Sequence, residues 1–335
     1  MAPCCSITSW CSITASSSIP RWSCRRPGAE PLRRAGLALA FALSCAFAAP
    51  SFAANAVEVA SKIDTEGTLL GNMIVLLLKA HGIAVDSRLQ LGPTQIVRQA
   101  ILAGQIDLYP EYTGNGAIFF HRESDPAWQD AAQGYALVKR LDAAQNHLDW
   151  LAPAPADNSW AIAVRRDLAD AEHLATLEDF AAYIDRGGRV KLAASAEFVD
   201  SPGALPAFEH AYGFTLARAQ LLTLIGGNTS ATLRAAAEGI SGVDAAMAYA
   251  TDGALAVLQL RLLTDDRRAQ TVYEPAPVIR GAVLTQHPEI AAILDPVFQS
   301  LTLARLQQLN AKIAADGEEA AAVAETYLHD SGFLK

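Results

Sequence analysis

VEVASKIDTEGTLLGNMIVLLLKAHG, residues 57–82, carries both periods of an α/β protein in one stretch. VEVA (57–60) alternates as a short strand does, and LLGNMIVLLLKAHG (69–82) stays apolar long enough for a buried helix. Asp64 or Thr65 is placed to cap that helix, and Gly82 to stop it. RLQLG (88–92) reads as a second strand. In PTQIVRQAILAG (93–104), Ile96, Val97, Ala100 and Ile101 fall on one helical face, with Thr94 as N-cap and Gly104 closing the helix. IDLYPEYTG (106–114) reads as a strand that Pro110 breaks into a loop. Strand, helix, strand, helix, strand is the pattern of a parallel βαβ sheet.

Residues 126–148 continue as helix, and LAPAPADN (151–158) is an extended, proline-punctuated crossing. SWAIAVRRD, VKLAAS and VDAAMAYATDG then read as strands, interleaved with the helical stretches LEDFAAYI, LPAFEHAYG and NTSATLRAAAEG. They make a second α/β unit over 157–264. VYEPAPVIRG (272–281) repeats the proline-punctuated character of the first crossing, and helices 288–301 and 303–313 follow it. Two α/β units with two crossings predict an inserted domain: a first lobe from 55–156 and 265–335, and a second from 157–264. A cleft between such lobes, at the carboxyl ends of strands, is a common ligand site.

The chain is long enough, at 335 residues, for two domains, and its 51% hydrophobic and 18% charged residues exclude a disordered chain. Residues 1–54 are set apart from the fold. Arg21, Arg25, Arg26, Arg33 and Arg34 precede the apolar run 35–49, and the small residues of PSFAA follow. That order predicts a secretory signal peptide cleaved near Ala53 or Ala54, behind an over-extended start, and so a periplasmic protein. The 15-residue apolar run is shorter than the roughly 20 residues a membrane span needs. All five cysteines lie in this leader, so the mature chain has no disulfide and no thiolate chemistry. The leader also takes five arginines and one glutamate from the total of 26 basic and 35 acidic residues, so the net charge falls from −9 to −13. Such a charge argues against nucleic-acid partners. The seven histidines are dispersed, and no zinc, Walker, nucleophile-elbow or dinucleotide motif is present. Neither a metal, nor a cofactor, nor an enzyme is expected.

Four clusters carry the chemistry. In SKIDTEG, Lys62 ends a strand opposite a helix start, where free N–H groups add to its charge and favour an anion. In DLYPEYTGNG, Tyr109, Glu111 and Tyr112 flank Pro110, with at least one tyrosine expected in the core. In DNSWAI, Asn158 and Trp160 share a strand face. In AMAYATDG, Tyr249, Thr251 and Asp252 end a strand, and Asp252 can instead cap the following helix. A quaternary ammonium, which donates no hydrogen bond, is held on aromatic faces worth about 0.5–2 kcal/mol each. A carboxylate at its other end would suit Lys62. Together the clusters describe a betaine site.

At these clusters the chain resembles the periplasmic substrate-binding proteins of osmoprotectant (glycine betaine, choline, proline betaine) ABC importers, and within them the OsmF/YehZ type. The resemblance runs through SKIDTEGTLLGN, LYPEYTGNGAIFF, PAPADNSWAIAVR, LAASAEFVDSPGALPAFEHAYGF and AAMAYATDG, over residues 57–335. It implies a type II periplasmic-binding fold whose lobes close on the ligand, an ABC permease and ATPase as partners, and a monomer. It carries ligand-binding roles onto Lys62, Tyr109, Tyr112, Asn158, Trp160 and Tyr249, and Thr65, Glu111, Phe198, Thr229 and Asp252 complete the candidate ligand-binding set. It also implies weaknesses. Ser201 stands where relatives have an arginine that grips the carboxylate, and Asn228, Thr229 and Ser230 stand where relatives tend to have a tyrosine. Losing both contacts would cost about 2–4 kcal/mol, or about ten- to a thousandfold in affinity. A sensor or an extracytoplasmic enzyme using the same cleft is the alternative.

Overall fold

A computed structural model describes residues 56–224 and 229–335 of the chain. The expected signal peptide, the five cysteines and Asn228 lie outside the described residues. Ten strands among the described residues form two five-stranded sheets. The first has the order β2-β1-β3-β10-β4, from β1 (Val57–Lys62), β2 (Val85–Gly92), β3 (Leu108–Tyr112), β4 (Leu148–Trp150) and β10 (Pro275–Arg280). The second has the order β7-β6-β8-β5-β9, from β5 (Trp160–Arg165), β6 (Leu192–Ser195), β7 (Leu221–Leu224), β8 (Ala245–Tyr249) and β9 (Leu260–Leu262).

The two sheets share one design. The strand that enters directly from a crossing, β5 or β10, inserts antiparallel beside parallel neighbours. The sheets are therefore mixed, where the βαβ pattern alone predicts parallel ones. Alternate residues feed opposite faces, as the two-residue period of a strand requires. Val57, Val59, Leu108 and Ile279 enter one core of the first sheet, while Ala60, Tyr109, Ala276 and Val278 enter the other. Ile162, Val164, Leu192 and Met247 split from Ala163, Ala193, Ala246 and Ala248 in the same way. Helices cover both faces of each sheet.

Helix α1 (Thr65–Ala80) buries Leu69, Leu70, Met73, Ile74, Leu77 and Leu78. Asp64 is its N-cap and accepts the Gly67 N–H at 2.7 Å. Gly82 follows its end at φ +80°, a left-handed position that glycine tolerates best. Helix α2 (Thr94–Leu102) departs from expectation in two ways. Pro93, not Thr94, holds the N-cap position. Ile96 is 48% exposed, while Val97, Ala100 and Ile101 are buried. The buried arc instead includes Arg98, which makes a two-pronged pair with the buried Asp142.

Pro110 does not break its strand: β3 runs through it, opposite Pro277 of β10. The carbonyls of Pro275 and Pro277 accept from Ala154 and Leu151 on the other flank. The Pro110–Pro277 pair is thus a non-hydrogen-bonded one, which needs no N–H from either ring.

The two crossings bond to each other. Asn158 N–H donates to the Tyr273 carbonyl (3.0 Å), Ser159 Oγ to the Thr271 carbonyl (2.8 Å), and Tyr273 N–H to Asp157 (2.8 Å). A third link lies beside them. Helix Leu303–Ala314 packs so tightly on the turn after β8 that a Cβ on Gly253 would lie 2.0 Å from the Ala311 nitrogen. Gly253 has an ordinary φ of −69°, so the constraint is space alone. Gly253→Ala should cost about 1–3 kcal/mol through overpacking. A lowered urea midpoint checks this; an unchanged midpoint would show that helix and turn part freely.

Candidate functional site

The first sheet contributes a closed polar cluster. Lys62 is 5% exposed and pairs with the Glu111 carboxylate, and its Nζ lies 4.5 Å from the Tyr112 ring centroid. Glu111 is wholly buried and also accepts from the Tyr109 hydroxyl (3.1 Å), the Asn115 amide (2.7 Å) and the Tyr112 N–H (2.7 Å). The anion pocket expected at Lys62 therefore already holds a carboxylate of the chain itself. A buried ammonium must be paired, and the buried acid of the YPEYTG loop supplies the partner. Tyr109 is enclosed in the core, and burial holds its hydroxyl well above the usual range. Tyr112, at the end of β3, is buried as well, and Lys62 covers one face of its ring.

Tyr112 leads to a residue that sequence reasoning missed. Its hydroxyl donates to Glu66 at 2.8 Å. Glu66 is 4% exposed and also accepts from Asn310 of helix Leu303–Ala314 (2.7 Å) and from Asn158 (3.4 Å). Asn310 further donates to the Thr251 carbonyl (3.0 Å), and the Thr251 hydroxyl donates to Asn158 (2.7 Å). Burial raises the Glu66 carboxyl to about 7, against the pull of hydrogen bonds from Thr251, Asn310 and Tyr112 and with a small push from Asp64. In the sequence, an acid in the first turn of α1 looks like ordinary helix-dipole chemistry. No local signal marks its partner Asn310, which is 244 residues away.

The second sheet contributes rings. Trp160 and Tyr249 are register partners on β5 and β8, with centroids 6.4 Å apart, and both are partly exposed. Phe198 packs behind Trp160 at 5.4 Å and is fully buried, so it supports the Trp160 ring instead of facing the cleft. Burial raises the Tyr249 hydroxyl, aided by Glu197, Asp252 and Asp64. Burial likewise lifts Tyr273 to about 12, aided by Tyr249, Asp157, Glu111 and Glu197. Tyr273 was not anticipated, because its segment read only as a crossing.

Asp252 does not cap the helix after it. Its carboxylate accepts the Tyr249 N–H (2.7 Å) and the Thr229 hydroxyl (2.9 Å), and burial raises it to about 6. It shapes the end of β8. Thr229 is buried at the start of helix Thr229–Ala237, and Thr65 is exposed at the start of α1. A hollow of about 490 Å³ lies beside the crossings, lined by Asp157, Ser159, Trp160 and Glu274; of the sequence candidates only Trp160 borders it. Among the described residues, no group of three or more His, Cys, Asp or Glu side chains is arranged to hold a metal ion.

Two sheets of one topology joined by two mutually bonded crossings define the two-lobed architecture of solute-binding proteins of the type II periplasmic-binding fold. Residues 55–330 match the OpuAC family, the substrate binding domain of ABC-type glycine betaine transport systems. The chain is 54% identical over 286 residues to the glycine betaine-binding protein YehZ of Escherichia coli K12, covering 85% of this chain and 94% of the relative. It is 30% identical over 300 residues to the glycine-betaine-binding protein of Pseudomonas aeruginosa PAO1, covering 87% and 94%. It superposes on the solved structure of apo YehZ from Escherichia coli with a TM-score of 0.75, covering 84% of this chain and 100% of that one. The chain belongs to this family of ABC-transport substrate-binding proteins.

The Glu66 environment has a consequence for stability. Its native pKa of about 7 lies above the 4.5 of an unperturbed Glu. Between those values the native state binds more protons than the unfolded chain. The contribution is full below pH 4.5 and falls by up to about 3 kcal/mol as pH rises through about 7. Denaturant melts from pH 4 to 8 should show this decline, and Glu66→Gln should flatten it. Equal slopes in the two proteins would refute it.

Proposed function

We propose that this chain captures glycine betaine or a related small quaternary amine between its lobes in the periplasm and delivers it, as a monomer, to an ABC permease and ATPase. It does no chemistry on the ligand: its relatives are named as binding proteins of transport systems. The first lobe comprises 55–156 and 265–335, and the second 157–264. Residues 1–54 export the chain as a signal peptide cleaved near Ala53 or Ala54. No helix among the described residues is long and apolar enough to cross a membrane.

The partly exposed Trp160–Tyr249 pair carries this reading. A trimethylammonium group is recognised by desolvation against ring faces, and these are ring faces set 6.4 Å apart in an acidic surrounding. Asp64 and Glu197 add a field that favours a cation there. The ligand carboxylate is served less well. Ser201 stands at the position where the family resemblance implies an arginine, and Lys62 is already paired with Glu111. Affinity for glycine betaine is therefore weak. Ligand that bridges the lobes shifts the population toward the closed form, which the permease recognises.

Titration calorimetry with glycine betaine, proline betaine, choline and carnitine tests this on ligand-free protein. Binding weaker than low micromolar is expected for glycine betaine, and Trp160→Ala and Tyr249→Ala should each lose about 2- to 30-fold. Low-micromolar or tighter binding would overturn the weak affinity. Unchanged affinity in both variants would remove the aromatic site, and no heat from any of the four on folded protein would remove the ligand class.

A further inference from the structure

Glu66 lies where α1, β3, the first crossing, the turn after β8 and helix Leu303–Ala314 meet. The groups bonded to its carboxylate all donate: the Tyr112 hydroxyl and the Asn158 and Asn310 amides. That set suits the ionised form, which accepts and does not donate. With its Nδ2 drawn to Glu66, Asn310 also reaches the Thr251 carbonyl at 3.0 Å, which ties helix Leu303–Ala314 to the second lobe. The other atom of the same amide, Asn310 Oδ1, is buried and has no hydrogen-bond partner among the described residues. Such an orphaned acceptor is unfavourable, and a protonated carboxyl is the donor that satisfies it. Turning the amide to present Oδ1 to Glu66 takes Nδ2 away from Thr251.

We propose that Glu66 is a proton-operated latch between the lobes. Ionised, it keeps the Asn310–Thr251 tie that supports closure on the ligand; protonated, it turns Asn310 and releases the tie. The inference rests on the solute-binding reading above. The groups around Glu66 leave it free to titrate. Asp64, at the cap of α1, adds its charge to burial and helps hold the carboxyl near neutrality. From β3 comes the Tyr112 hydroxyl, with the Lys62–Glu111 pair beyond that ring. The first crossing, the turn and helix Leu303–Ala314 bring the neutral Asn158, Thr251 and Asn310. Asp252, next along the turn, spends its carboxylate on Tyr249 and Thr229. A ligand cation on the neighbouring rings favours the ionised form, so binding and proton release are reciprocal.

Calorimetry of glycine betaine binding in buffers of different ionisation enthalpy, from pH 6 to 8, reads the coupling on the unaltered protein. Release of up to one proton per ligand is expected near pH 7, with affinity about tenfold weaker at pH 6 than at pH 8. In Glu66→Gln an amide N–H donates permanently. That variant should release no proton and bind at every pH as the unaltered protein does at pH 6. Binding without proton exchange and with equal affinity at pH 6 and 8 overturns the latch and leaves the solute-binding reading intact. Absence of binding at every pH overturns the solute-binding reading instead. Small-angle scattering of ligand-free protein then judges the latch by itself. The unaltered protein should expand between pH 8 and 6, and Glu66→Gln should be expanded at both. A profile that does not change with pH overturns it, and needs no variant.

Discussion

The hydrogen bonds that converge on Glu66 join four separate segments of the chain. A carboxylate taken out of water is costly unless donors replace the water it loses. Here the donors come from β3, from the first crossing and from helix Leu303–Ala314. They can converge only if those segments are held together, so the need of one side chain becomes a constraint on how they pack. Gly253 serves the same end by steric means, since only a residue without a Cβ lets the helix approach the turn this closely. The mutually bonded crossings complete the joint.

The Lys62–Glu111 pair is a second buried charge problem. Each charge would be prohibitive without the other. Paired, and supplied with further donors from Tyr109 and Asn115, they present little net charge to a ligand. Aromatic residues are only 7% of this chain, and several of them pack together on the second sheet. Phe198 packs against Trp160 and Phe208 against Phe198, and Trp160 and Tyr249 stay partly exposed.

Much of the fold was legible along the chain because its signals are local. Helix α1 announces itself through an uninterrupted apolar run between Asp64 and Gly82, and the alternation of VEVA and VKLAAS marks strands. Errors arose where a residue's environment is supplied from far away. Pro110 looks like a strand breaker until Pro277 arrives opposite it in a pair that needs no N–H. Ile96 looks like core until Arg98, paired with Asp142, takes the buried arc of α2. The candidate site shows the same division. Of the residues chosen as aromatic or charged at strand ends, Tyr109 and Phe198 face inward and Lys62 is paired with Glu111, while Trp160 and Tyr249 stay partly exposed.

By itself the sequence determined two α/β units, two crossings and the resemblance to a betaine-binding family, because period, composition and short motifs are properties of neighbouring residues. Only the tertiary structure decided which rings stay open, which acid neutralises Lys62, and that Glu66, Asn158, Thr251 and Asn310 form one junction. Those outcomes depend on burial and on pairs such as Glu66 and Asn310, whose electrostatic cost and hydrogen-bond partners do not exist until distant segments meet.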